Sequence, residues 1–170
     1  SGIDISEEAI ERAKEKYQIR QNICYQTGSV ESLPYPDHSI DVVVSFETIE
    51  HISEEVQSKF LEEIFRVLKN DGLLVISPPN KAIYSDLYDF CNKFHVKEFY
   101  NDEFMTFLKK KFRFVQLYNQ YFEMVSIIDK TVQQTGNVSY VKTNQFTDEG
   151  KYYIALASNK EISEAADITH

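Results

Sequence analysis

Two periods of hydrophobic spacing alternate along this chain. Ile40–Phe46 (Ile-Asp-Val-Val-Val-Ser-Phe) is a short, mostly β-branched run, the pattern of a strand buried on both faces of a parallel sheet. Leu73–Ser77 reads as a second buried strand, stopped by Pro78-Pro79. Between them, Val56, Phe60, Ile64, Val67 and Leu68 recur at helical spacing, with Ser53 as the expected N-cap and Gly72 suited to the left-handed position after the helix. Near the start, Gly2-Ile3-Asp4-Ile5 resembles the tail of a strand. Ser6 then caps a helix with Glu7 and Glu8 in its first turn and Ile10, Ala13 and Tyr17 on one face. Ile23–Thr27 predicts a short strand, and Leu33–Ser39 (Leu-Pro-Tyr-Pro-Asp-His-Ser) a loop.

The second half is less regular. Tyr84–Tyr100 is aromatic-rich, Asn101 is the expected cap of a helix through Lys111, and Phe112–Tyr121 alternates as a strand. A helix around Ile127–Gln133 and a turn near Gly136-Asn137 are expected before a last strand, Tyr152–Ser158. Strand and helix alternate as in βαβ units. The expected fold class is therefore α/β, a Rossmann-like and mostly parallel sheet with helices on both faces. The last two strands lack a crossover helix and form an antiparallel pair at one edge. Residues 1–158 make one domain, and 159–170 a polar tail that frays.

Composition narrows the function classes. The net charge of −9 over 170 residues argues against a non-specific nucleic-acid binder, which needs a basic face, and the one basic run, Lys109-Lys110-Lys111, reads as the solvated end of a helix. No apolar run approaches the length of a membrane span. Cys24 and Cys91 make no disulfide framework and are expected as buried or half-buried thiols in a reducing setting, the cytoplasm.

Four segments in order carry a resemblance. They are Gly2–Ser6, Gly28–Tyr35 (Gly-Ser-Val-Glu-Ser-Leu-Pro-Tyr), Ile40–Glu47, and Phe60–Leu74, which ends in Lys-Asn-Asp-Gly-Leu-Leu. Together they resemble the class I, seven-stranded S-adenosylmethionine-dependent methyltransferases of the type 11 kind. The likeness covers about residues 2–80, and the terminal strand pair extends it to about 158. A narrower likeness, in Pro79-Asn80-Lys81 and Asn92–Phe99, is to methyltransferases that accompany bacterial glycosyltransferases.

The resemblance implies S-adenosylmethionine as cofactor and a set of residues to hold it. Asp4 would accept hydrogen bonds from the ribose diol, with Ile5 against the purine face. Ser29 and Val30 would meet the adenine edge, and Phe46 and Glu47 would line the amino-acid part and the methyl. His51 and His95 are the candidate bases for a hydroxyl acceptor, a small molecule or glycan precursor methylated on oxygen. The family's glycine-rich loop has no counterpart, and its first strand and first helix are missing from the sequence. A paired homodimer or a further N-terminal segment is the expected means of completing the sheet.

Other readings compete. Glu47, Glu50 and His51 share a face if helical, and His95 or Asp86 could add a ligand. The favoured reading is a solvated acidic helix start and no metal. The aromatics of the second half, among them Tyr84, Phe94, Phe99 and Phe122, are expected in core and cap rather than in a substrate lid. The alternative functions are a non-catalytic module derived from a methyltransferase and a nicotinamide-dependent oxidoreductase, which would also place a ribose on Asp4.

Overall fold

The computed structural model describes residues 1–17, 22–122 and 149–163. The helix expected around Ile127–Gln133, the turn at Gly136-Asn137 and the end of the tail lie outside the described residues.

In chain order the elements are β1 (Gly2–Asp4), α1 (Glu7–Lys16), β2 (Tyr25–Thr27), β3 (Ile40–Phe46), a single 3₁₀ turn (Ile49–His51), α2 (Glu54–Val67), β4 (Leu68–Ser77), a wide turn (Ala82–Asp86), α3 (Asn101–Lys109), β5 (Phe114–Gln120) and β6 (Tyr152–Ser158). The strands form two sheets. β1 and β2 pair in parallel, and the second sheet runs β3-β4-β6-β5. β3 and β4 are parallel, whereas β6 is antiparallel to both β4 and β5. The fold class is thus the expected one, α/β with the antiparallel pair at one edge. However, β1 and β3 are not neighbours in a common sheet.

Local chemistry accounts for the helix starts. Ser6 Oγ accepts from Ala9 N at 3.2 Å and Ser53 Oγ from Val56 N at 3.4 Å, so both expected caps form. α3 begins one residue differently from expectation. Tyr100 is the extended N-cap, because the Glu103 carboxylate reaches back to accept from Tyr100 N at 3.3 Å.

The core lies on one face of the four-stranded sheet. Phe60, Leu61, Ile64 and Val67 of α2 and Phe104, Phe107 and Leu108 of α3 pack with Leu74, Ile76, Tyr153, Ala155 and Ala157. The register places Val43 beside Leu74 and Ser45 beside Ile76, so alternate residues of β3 face this core. The intervening residues do not meet a second layer. Val42, Val44 and Phe46 are 52%, 63% and 51% exposed. The expectation of a strand buried on both faces is corrected here: β3 is an edge strand of its sheet, covered on one face only.

Three further expectations change. Gly72 has no left-handed backbone and sits inside β4. A Cβ there would lie 3.0 Å from Lys69 O and 3.1 Å from Asp41 O, so the residue is small because backbone passes close at the β3–β4 irregularity. Cys24 and Cys91 are exposed, since Cys24 precedes β2 and Cys91 lies in the open loop after the wide turn. Among the aromatics of the second half, Phe99 is core, but Tyr88, Phe94 and Phe122 are 64%, 65% and 70% exposed.

Candidate functional site

Asp4 ends β1. Its carboxylate accepts from Ser6 N at 2.8 Å, and its carbonyl accepts from Gly28 N at 3.0 Å. The second bond brings the loop that carries Ser29 and Val30 against the end of β1. Ser29 Oγ accepts from Glu31 N at 3.2 Å and so shapes its own turn. Asp4 is exposed, and the adjacent Ile5 is 77% exposed. An open carboxylate beside an uncovered apolar side chain suits a ligand with a polyol and a flat ring, so these residues fit a nucleoside.

Phe46 and Glu47 stand at the end of β3, in the other sheet, so no strand pairing joins them to Asp4. Glu47 has φ 51°, a left-handed backbone costly for a side chain with a Cβ. Ser77, at the end of β4, holds it there. Glu47 N donates to Ser77 O at 2.9 Å, and Ser77 Oγ donates to the Glu47 carboxylate at 2.7 Å. Burial raises the Glu47 carboxyl above its ordinary value, while the Ser77 hydrogen bond and the nearby His95 and His51 work the other way.

Two residues further on, the 3₁₀ turn begins and packs against the loop before α3. Val96 N and Lys97 N donate to Glu50 O at 2.7 and 3.2 Å. His51 Nδ1 lies 2.9 Å from Phe94 O. A carbonyl only accepts, so Nδ1 carries the proton and Nε2 the lone pair. His95 is tied differently. Its Nδ1 donates to the Glu98 carboxylate, and its Nε2 lies 2.9 Å from the Asn92 side-chain nitrogen. The same Asn92 accepts from Phe94 N through Oδ1 at 3.1 Å, which fixes its amide with the nitrogen toward His95. The two imidazoles meet edge to face, with centroids 5.0 Å apart, and Tyr84 stacks on His95 at 5.2 Å.

Glu50 is the residue whose environment the sequence reading missed. It is fully buried, and neither carboxylate oxygen has a hydrogen-bond partner among the described residues. Burial pushes its carboxyl up to about 7. The expected solvated acidic helix start is therefore corrected: the docked 94–98 loop removes Glu50 from water. The signal available in the sequence was the Glu47, Glu50, His51 spacing. The part that was not visible was the return of residues 94–98 over the turn.

A concavity of about 390 Å³ lies elsewhere, lined by Gln57, Lys97, Phe99, Asp102, Phe107 and others between α2 and α3. It holds none of the candidate catalytic or cofactor-binding residues. No helix among the described residues is long and apolar enough to cross a membrane.

The fold built from these elements is that of a class I methyltransferase. Residues 1–76 match the family model of the methyltransferase domain. Over 107 residues the chain is 36% identical to a protein of Mycobacterium tuberculosis (strain CDC 1551) named probable S-adenosylmethionine-dependent methyltransferase, covering 62% of this chain and 37% of that protein. Among solved structures, a SAM-dependent methyltransferase of Thermotoga maritima superposes with a TM-score of 0.67 at 19% identity, over 94% of this chain and 72% of that one. The YcgJ protein of Bacillus subtilis superposes with a TM-score of 0.59 at 26% identity, over 69% and 55%. The chain is thus similar to class I S-adenosylmethionine-dependent methyltransferases in fold and, over its first half, in sequence. It spans about 36–37% of the length of the first curated relatives it matches. None of these comparisons supports the oxidoreductase alternative.

Proposed function

We propose that this chain serves S-adenosylmethionine-dependent methyl transfer to an oxygen of a small, sugar-like acceptor. The observation that carries the reading is the hydrogen bond between Gly28 N and Asp4 O at 3.0 Å. It sets an exposed carboxylate and the 28–30 loop side by side at the ends of two parallel strands, where α/β sheets bind ligands.

In this reading Asp4 takes the ribose hydroxyls, Ile5 lies along the purine, and Ser29 and Val30 meet its polar edge. Phe46 and Glu47 border the amino-acid part. The cofactor supplies an electrophilic methyl on a sulfonium, so the protein's task is to align the acceptor oxygen with it. The acceptor's proton must leave, and His51, with its lone pair at Nε2, is better placed to receive it than His95, whose two ring nitrogens are both engaged. The acceptor class follows the likeness of Pro79-Asn80-Lys81 and Asn92–Phe99 to methyltransferases that accompany bacterial glycosyltransferases.

Calorimetry with S-adenosylmethionine, S-adenosylhomocysteine and NAD tests the reading. Binding of the first two without the third is expected. Binding of none, by a chain shown to be folded, would overturn it and favour a non-catalytic module.

A further inference from the structure

Glu50 poses a specific physical problem. A carboxylate removed from water needs donors or a cation, and this one has neither among the described residues. What faces it is a pair of imidazoles. Glu50 Oε1 lies 3.7 Å from His51 Nε2, and one ligand atom from each of Glu50, His51 and His95 falls within 4.8 Å of the other two. Ligand bonds of about 2.0–2.2 Å put neighbouring ligands roughly 3–4 Å apart, a spacing the Glu50–His51 pair already has, and binding an ion would draw the set to that spacing.

We propose that Glu50, His51 and His95 form the binding site of a divalent first-row metal ion, with Glu47 at its rim. The donor set suits that class. Two borderline imidazoles and one hard carboxylate on one side of an ion leave further positions open, whereas a calcium site would be built from oxygens.

The supporting groups point the same way. Metal-bound histidines usually donate their second ring N–H to a carbonyl or carboxylate, which orients the ring. His51 does so to Phe94 O, leaving the Nε2 lone pair toward Glu50. His95 does so to Glu98, itself buried and held by Ser85 Oγ at 2.6 Å. Its Nε2 meets the Asn92 amide, which would be displaced on binding an ion. The pocket is also placed for chemistry, since Glu47 at its rim follows the last residue of β3. His51 is the more open ligand, with its side chain 42% exposed, so the ion would be reached from that side.

The part of the inference that concerns the acceptor rests on the methyl-transfer reading. An ion here would bind two neighbouring acceptor oxygens, as in a vicinal diol, at its open positions. It would ease loss of the acceptor proton to Glu47 or solvent, replacing His51 as a free base. The oxygen lone pair then forms the new bond to the methyl carbon as the carbon–sulfur bond breaks, and sulfur keeps that electron pair.

The test uses the metal alone. Mn²⁺ is titrated into the full chain by calorimetry, and the histidine ring signals are followed by NMR. Saturable binding of one ion is expected, with paramagnetic broadening of the His51 and His95 rings in the unaltered protein. Glu50→Gln should weaken binding by at least about 100-fold, and Glu98→Gln, a supporting change, by about 10–100-fold. No saturable binding of Mn²⁺, Co²⁺ or Zn²⁺, or binding that neither broadens these rings nor responds to Glu50→Gln, would overturn the site. S-adenosylmethionine binding is measured separately. If it persists while metal binding is absent, only this inference fails. If metal binds and the nucleoside does not, the methyl-transfer reading fails and the ion site stands.

Discussion

His51 is fastened to Phe94: its Nδ1 lies 2.9 Å from the Phe94 carbonyl oxygen, across 43 residues of sequence. That contact belongs to a larger seam. Gln57 of α2, itself fully buried, donates through Nε2 to Ile49 O at 2.8 Å and to Lys97 O at 2.9 Å. One amide therefore stitches the turn carrying Glu50 and His51 to the loop carrying His95. Gln57→Leu fills similar space but leaves two carbonyls without this donor, at about 1–3 kcal/mol each. A loss of at least about 2 kcal/mol in urea denaturation is expected. An unchanged midpoint would mean that the loop is held by other contacts.

A second clamp fixes the loop after β2. Arg66 of α2 donates to both Glu63 oxygens at 2.8 Å, to Leu33 O at 2.9 Å, to Tyr35 O at 2.8 Å and to Asp37 at 2.7 Å. Its guanidinium holds the Glu63 carboxyl below the ordinary value of 4.5, against a smaller opposing effect of burial. A depressed folded-state value means that the unfolded chain binds the proton more readily. The Glu63 contribution is thus present above about 4.5 and is lost as pH falls through the lower folded value. Arg66→Met should flatten this acid limb when stability is measured from pH 6 down to about 3. Arg66→Lys should restore little of it, because an ammonium cannot serve this fan of acceptors.

The ease of reading differed from element to element. Ser6 and Ser53 announced their helices because capping is local, and one side chain meets a backbone N–H three residues on. Ile40–Phe46 announced a strand equally well, but its β-branched composition does not record whether a second layer covers it. Gly72 looked like a helix stop because Asn-Asp-Gly is a common one. Its actual constraint is the approach of Asp41 O from another strand, a tertiary fact. In the site, the spacing of Glu47, Glu50 and His51 was plain. The burial of Glu50 depends on residues 94–98 folding back over it, and no local pattern encodes that. The pairing of Asp4 with the 28–30 loop was anticipated through the family likeness, and the separation of β1 from β3 into two sheets agrees with the expectation of an incomplete sheet between them.

The uneven cover of the four-stranded sheet gives a direct contrast. Val44 is 63% exposed on β3, while Ile76, on the neighbouring β4, is fully buried. Val44→Thr should leave stability of this chain within about 0.5 kcal/mol, as for surface changes generally. Ile76→Ala should cost about 2–5 kcal/mol through lost burial and the cavity left behind. Equal losses at the two positions in thermal or urea unfolding would mean that both faces of β3 are covered in solution.

Asp4 offers the sharpest test of the nucleoside reading, provided its two jobs are separated. Its carboxylate already caps the turn into α1 by accepting from Ser6 N at 2.8 Å, so Asp4→Ala removes a structural bond as well as a ligand contact. Asp4→Asn keeps an oxygen that can accept from Ser6 N but loses the charge that strengthens bonds to ribose hydroxyls. Asp4→Ala should weaken S-adenosylmethionine binding by about 1–3 kcal/mol. Asp4→Asn should give most of that loss while leaving the melting temperature near that of the unaltered chain. If affinity instead tracks the melting temperature across the two variants, the carboxylate serves the helix start alone, and the ribose must be held elsewhere.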